Sequence, residues 1–259
     1  MRRDIADCRA LITGASGGIG RAIAVELARQ GARLIVLARR EERLRDLAAE
    51  VAVLGRQIEC VVGDVTDPAA RLRCLRRAEE RFGGLDALIN NAGVGAIGPF
   101  AEAGPERLRR VFEVNFFALA EMTREALPLL AAGRGPIVVN VGSVLGHLAM
   151  PRSSEYCASK FAVRGLSQAL RMELRPRGID VLLVSPATTE SEFLDNLIEE
   201  RGSAAWRSSR ATPADAVARR TVAAMRRGRR ELFPDFNARF AQWAARLAPG
   251  LVARVVSRR

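Results

Sequence analysis

Lysine, tyrosine and histidine are almost missing from this sequence: each occurs once, as Lys160, Tyr156 and His147. A solitary histidine, beside four cysteines (Cys8, Cys60, Cys74 and Cys157) with no C-x-x-C spacing, leaves a zinc site or a disulfide framework without ligands. No metal is expected. Cysteines used in this way fit a reducing cytoplasm. The first eight residues carry Arg2, Arg3, Asp4 and Asp7 with no apolar stretch behind them, which does not read as a secretory signal, and no later run approaches a membrane span. A cytoplasmic protein is expected.

Positive charge is the one excess. The formal charge is +12, and in residues 203–259 thirteen arginines face only Asp215, Glu231 and Asp235. Because every basic residue but one is arginine, the excess reads first as a compositional bias of the source. No nucleic-acid motif accompanies it, so specific nucleic-acid binding is not expected.

What the sequence does have is the composition of a folded protein, with 49% apolar residues, 27% charged residues and 22 glycines. Its 259 residues suit one large α/β domain, 1–259. Short apolar runs at 10–12, 33–37, 58–62, 85–89, 137–141 and 179–184 alternate with segments of helical length and spacing at 21–30, 41–54, 69–82, 108–130 and 161–175. Gly31, Gly55, Gly83, Gly133 and Gly178 stand just past the ends of those segments. The rhythm predicts a doubly wound, Rossmann-like parallel sheet with helices on both faces, and a short last strand at 231–233.

Two segments break the rhythm. Residues 188–210 mix acidic residues with Phe193, Leu194, Leu197 and Trp206, the pattern of a substrate lid or of an ordinary connecting helix. Residues 236–251 place Phe236, Phe240, Trp243 and Leu247 on one face of an amphipathic helix that opens a basic extension over 236–259. Packing against the body or a second subunit, contact with an anionic membrane surface, and simple solvation of charge are all open to it.

The first apolar run leads into residues 13–20, Thr-Gly-Ala-Ser-Gly-Gly-Ile-Gly. Glycines at such a turn let the backbone approach a phosphate held at the N-terminus of the following helix, although the spacing of Gly14, Gly18 and Gly20 departs from G-x-G-x-x-G. After the second run, where a carboxylate would select the ribose hydroxyl of NAD, stand Arg39 and Arg40. Two guanidiniums suit a 2′-phosphate and favour NADP; the alternative is two more surface arginines in an arginine-rich chain.

Asp64 follows the third run, Asn90, Asn91, Ala92 and Gly93 the fourth, Ser143 the fifth and Pro186 the sixth. All lie at the carboxyl ends of predicted strands, where ligands of open parallel sheets bind. Tyr156 and Lys160, four apart, share a helix face. Lowering a phenol by about 3 pKa units needs about 4 kcal/mol, and an ammonium about 4 Å away supplies roughly that at an effective dielectric near 20. The pair therefore reads as an acid/base unit. His147 lies four residues after Ser143, but without a Gly-x-Ser-x-Gly elbow a hydrolytic role is set aside, leaving a place in the substrate cleft or ordinary packing. Cys157 reads as a small buried side chain.

In order and spacing, residues 13–20, Asn90 to Gly93, Ser143 and the run Tyr-Cys-Ala-Ser-Lys at 156–160 resemble the short-chain dehydrogenase/reductase family, of the NADP-preferring type. The likeness spans about residues 9–191. It implies Tyr156 as acid/base, Ser143 orienting the substrate oxygen, Lys160 acting on the ribose and the phenol, and Asn115 supporting a water-linked proton relay. It implies a dinucleotide site of Gly14, Ser16, Gly18, Ile19, Gly20, Arg39, Arg40, Asp64, Val65, Asn91, Ala92, Gly93, Tyr156, Lys160, Pro186 and Thr189. Asp64 and Val65 would border the adenine, Asn91 and Gly93 the adenosine ribose.

The implied reaction is NADP(H)-dependent reduction of a ketone or aldehyde, or the reverse oxidation of an alcohol, by hydride transfer in a homo-oligomer, dimer or tetramer. Val144, Leu145, Leu148, Met150, Phe193, Leu194 and Leu197 point to a lipophilic substrate. The sequence departs from the family pattern in Ala187 after Pro186, in Ser191 where a threonine is usual, and in Gly17 where a basic residue often accompanies NADP. A noncatalytic NADP-binding sensor, and an epimerase or dehydratase on the same fold, are the competing readings.

Overall fold

The computed structural model describes residues 3–193, 196–202 and 211–257. In chain order the elements are β1 (Arg9–Thr13), α1 (Gly18–Arg29), β2 (Arg33–Ala38), α2 (Glu41–Val53), β3 (Ile58–Val62), α3 (Pro68–Phe82), β4 (Ala87–Asn90), α4 (Pro105–Phe112), α5 (Ala118–Ala131), β5 (Ile137–Val141), α6 (Ser154–Glu173) and β6 (Asp180–Val184). There follow β7 (Thr189–Glu190), β8 (Thr212–Pro213), α7 (Ala214–Arg226), β9 (Glu231–Leu232), α8 (Phe236–Leu247) and α9 (Pro249–Ser257). Seven strands form one parallel sheet in the order β3-β2-β1-β4-β5-β6-β9.

Alternation of side chains along the strands divides the core. Ala10, Ile12, Leu34 and Val36 pack under α1, α2 and α7, whereas Leu11, Ile35 and Leu37 pack under α3 and α5. Burial on both faces explains why these strands read as unbroken apolar runs. A polar chain fixes the centre of the sheet to the second layer. Asn90 on β4 donates to Thr123 on α5 and to Asn140 on β5, each at 2.9 Å, and Asn140 donates to Ser167 on α6 at 2.9 Å. Buried hydrogen bonds of this kind tie sheet and helices together, although Asn90 Oδ1 has no partner of its own among the described residues.

The expected helix over 108–130 is instead α4 and α5 joined by a π-helical turn, Glu113–Phe117. The wider turn buries Asn115, whose amide brackets Val94: its Oδ1 accepts from Val94 N at 2.8 Å and its Nδ2 donates to Val94 O at 3.0 Å. Such turns occur often at functional sites. The expected helix over 236–251 is also two, because Ala248 (φ −137°, ψ 59°) precedes Pro249, and the proline ring disfavours the helical region for the residue before it.

Candidate active site

A cavity of about 400 Å³ lies at the carboxyl ends of the strands. Lining it are Gly14, Ser16, Gly18 and Ile19 after β1, Arg39 and Arg40 after β2, Asp64 and Val65 after β3, and Asn91, Ala92 and Gly93 after β4. Ser143 after β5, Tyr156 and Lys160 on α6, and Pro186 and Thr189 after β6 complete it. Gly20 and Asn115 belong to the predicted set but stand behind the wall.

The turn after β1 works by close approach. At Gly14 (φ +68°) a Cβ would fall 2.8 Å from Ala92 Cα, and at Gly20 it would fall 2.4 Å from the carbonyl oxygen of Gly14. Gly20 thus serves by letting α1 start against the turn. Asn91 ties the two loops together, its Nδ2 donating to the carbonyls of Thr13 at 3.0 Å and Gly14 at 3.1 Å. No side chain caps the start of α1 and no carboxylate occupies its first turn, so its first amides face the cleft at Gly18 and Ile19. That is the donor set for a phosphate. The residues present fit a dinucleotide cofactor, with Arg39 and Arg40 beyond β2.

Tyr156 sits in the first turn of α6 and meets Ser143 from the end of β5. Burial pushes the Tyr156 phenol up, and its hydrogen bond with Ser143 opposes that. Ser143 Oγ also accepts from Leu145 N at 3.1 Å. The Lys160 Nζ lies 5.6 Å from the Tyr156 ring centroid and donates to Val141 O at 3.0 Å; burial pushes it down to about 8. Burial of the phenol thus opposes the lowering expected from a neighbouring ammonium. Desolvation disfavours the phenolate and the ammonium alike, and the lysine spends a donor on the backbone rather than closing on the ring.

Asn115 is fully buried and, besides bracketing Val94, donates to Ser159 Oγ at 2.9 Å. Its side chain holds the loop after β4 against α6. Glu155, beside Tyr156, is clamped by Arg107 of α4 through Nε at 2.9 Å and Nη2 at 2.7 Å, with both side chains buried. The clamp fixes the turn that carries the phenol.

His147 does not line the cleft. Its Nε2 meets Ser185 Oγ at 3.0 Å, its ring packs on Phe233 at 5.0 Å, and burial followed by the charge of Arg164 pushes it down to about 4. It is a neutral packing residue. Cys157 is buried, and burial raises its thiol.

The described part of 188–210 runs beside the loop after β4: Ile198 N donates to Gly95 O at 2.8 Å and Ile97 N to Glu199 O at 2.9 Å. Phe193 packs against the Tyr156 ring at 5.5 Å, tilted by 58°. Val144, Leu145, Leu148 and Met150 line the cavity as expected, and Leu197 packs at Gly95; Leu194 and Trp206 fall outside the described residues. Sequence reasoning missed Glu192, which pairs with Arg40 and, at 3.2 Å, with Arg43. No local motif marks it, because the pairing crosses 152 positions.

The sheet order, the glycine turn and the tyrosine–lysine–serine cleft define a Rossmann-like α/β protein of the nucleotide-cofactor oxidoreductases. The family model for short chain dehydrogenases matches residues 9–202, and the chain belongs to that family. It is 37% identical over 211 residues to an A-factor type γ-butyrolactone 1′-reductase (1S-forming) of Streptomyces virginiae, covering 81% of this chain and 82% of that one. A short-chain dehydrogenase/reductase from Burkholderia phymatum in complex with NAD superposes with a TM-score of 0.88 at 26% identity, covering 96% of each chain. A short chain dehydrogenase from Burkholderia cenocepacia in complex with NADP superposes with a TM-score of 0.81 at 31% identity, covering 92% of this chain and all of that one. This protein is an oxidoreductase of a family that acts on CH–OH and C=O groups with nicotinamide cofactors.

Proposed function

We propose that the protein is an NADP(H)-dependent carbonyl reductase that protonates its product from Tyr156. The observation that carries this reading is the meeting of the Tyr156 phenol with Ser143 in the same cavity as Lys160 and the glycine turn. A bound nicotinamide would supply the hydride, or accept it in the direction of alcohol oxidation. Ser143 would hold the substrate oxygen, and Tyr156 would donate its proton to the alkoxide as it forms, a step in which a positioned acid is most effective. Lys160, as an ammonium, would stabilise the phenolate left behind and hold ribose hydroxyls.

Gly14, Ser16, Gly18 and Ile19 would hold the pyrophosphate side. Asp64, Val65, Asn91, Ala92 and Gly93 would border the adenosine, and Pro186 and Thr189 the nicotinamide side. Arg39 and Arg40 support NADP over NAD, since guanidiniums pair with a 2′-phosphate. The apolar wall formed by Val144, Leu145, Leu148, Met150 and Phe193 supports a lipophilic substrate, with the described part of 188–210 acting as its lid. A cytoplasmic homo-oligomer, dimer or tetramer, belongs to this reading.

Oxidation of NADPH and of NADH against a panel of ketones and aldehydes tests it. The reading expects stoichiometric NADPH consumption with at least one carbonyl, slower with NADH. Binding without turnover would indicate a sensor, and product formed without net NADPH consumption an epimerase or dehydratase.

A further inference from the structure

The most concentrated exposed apolar surface of the described residues lies on the last two helices. Phe236, Phe240, Trp243 and Leu247 recur at helical spacing along α8 and are 80%, 66%, 56% and 73% exposed, and Leu251 and Val255 continue the surface on α9. The opposite side of α8 is made of small residues: Ala238 is buried, and Ala238 and Ala241 both line the cavity. One helix therefore walls the cleft with alanines and shows large apolar side chains to the outside. Scattered exposed apolar residues are ordinary, but a contiguous patch marks an interaction surface.

The charge around this patch is predominantly positive, with Asp235 at the N-cap of α8 and Glu231 on β9 the carboxylates nearest in sequence. Residues 236–257 contain Arg239, Arg246 and Arg254 and no aspartate or glutamate, and the neighbouring stretch from Arg219 to Arg230 adds six more arginines. Two copies meeting face to face through this patch would bring their arginines together, and the nearest carboxylate in sequence, Asp235, is already engaged by Ala238 N and Ala187 N. An anionic lipid surface meets both demands, with headgroup phosphates for the guanidiniums and the acyl boundary for the rings. No helix among the described residues is long and apolar enough to cross a membrane, so the association is peripheral.

We propose that α8 and α9 lie on an anionic membrane surface, with Phe240, Trp243 and Leu247 at the acyl boundary, and that the cleft beside α8 receives a carbonyl substrate that partitions into lipid. The docking stands on the surface alone; the substrate class rests also on the reductase reading.

The test uses the full chain and vesicles of phosphatidylcholine with three-tenths phosphatidylglycerol, against pure phosphatidylcholine. Wild type is expected to sediment with the anionic vesicles at low salt and to bind at least tenfold less to neutral ones or at high salt. A Trp206→Phe background isolates Trp243, whose emission is expected to shift to the blue on binding. The variant Phe240→Ser/Trp243→Ser/Leu247→Ser should lose binding at least tenfold while reducing a water-soluble ketone at the wild-type rate. It should reduce a long-chain ketone embedded in vesicles at least fivefold more slowly. A wild type that ignores anionic vesicles overturns the proposal, and so does a triple variant that binds them equally. Light scattering that shows wild type in a larger assembly than the variant, without lipid, assigns the face to a second copy and overturns it as well. Vesicle binding with no carbonyl reduced in any form would leave the docking standing and remove the reductase reading.

Discussion

Arg40, at the end of β2, is held by Glu192 from the segment after β6, and the pair closes over Gly17 of the cofactor turn. The Arg40 guanidinium donates to Glu192 and to Ser16 Oγ at 3.2 Å, and a Cβ on Gly17 would fall 2.8 Å from Arg40 Nη2 and 3.3 Å from Glu192 Oε2. The guanidinium proposed to meet a 2′-phosphate is therefore already partnered by an internal carboxylate.

On the proposed NADP reading, an incoming 2′-phosphate would compete with Glu192 for Arg40. Half-exposed ion pairs contribute up to about 1 kcal/mol, so Glu192→Gln is expected to tighten 2′,5′-ADP and NADPH by about fivefold and to leave NADH unchanged. Calorimetric titration checks this. Equal effects on both cofactors would show that Glu192 acts on a part they share.

The Arg107–Glu155 clamp gives a stability prediction. Arg107→Ala leaves Glu155 buried without its cation, which costs about 3–5 kcal/mol. Urea unfolding is expected to show that loss. Arg107→Ala combined with Glu155→Ala should recover part of it, since the stranded carboxylate is then gone.

Lys160, pushed down to about 8 by burial, carries its charge below that pH and loses it above. The single-turnover rate of carbonyl reduction is expected to fall as pH rises through about 8, because the ammonium that stabilises the phenolate is lost. Stability runs the other way. Between about 8 and 10.5 the unfolded chain holds the lysine proton and the folded chain does not, so stability rises with pH in that window. Lys160→Met should remove both slopes.

The sheet was legible because parallel strands buried on both faces write themselves as unbroken apolar runs, as at Leu34 to Leu37. The cleft was legible because strand ends converge whatever the details, and sixteen of the eighteen predicted site residues line it. Gly20 and Asn115 stand behind the lining rather than in it. Each acts through packing or hydrogen bonds at its back, which spacing does not reveal. Glu192 was invisible because its partners are distant in sequence. The desolvation of the phenol was not legible, because it depends on burial, whereas the sequence argument supplied only a distance and a charge. The break at Ala248 was readable from Pro249, but the aromatic stripe around it suggested continuity.

The central claim is that Tyr156 delivers the proton. Steady-state NADPH oxidation with the best carbonyl substrate, compared between wild type and Tyr156→Phe, tests it most directly. The account predicts kcat lower by about 10²–10⁴-fold with NADPH affinity unchanged. Unchanged turnover in the variant would contradict it.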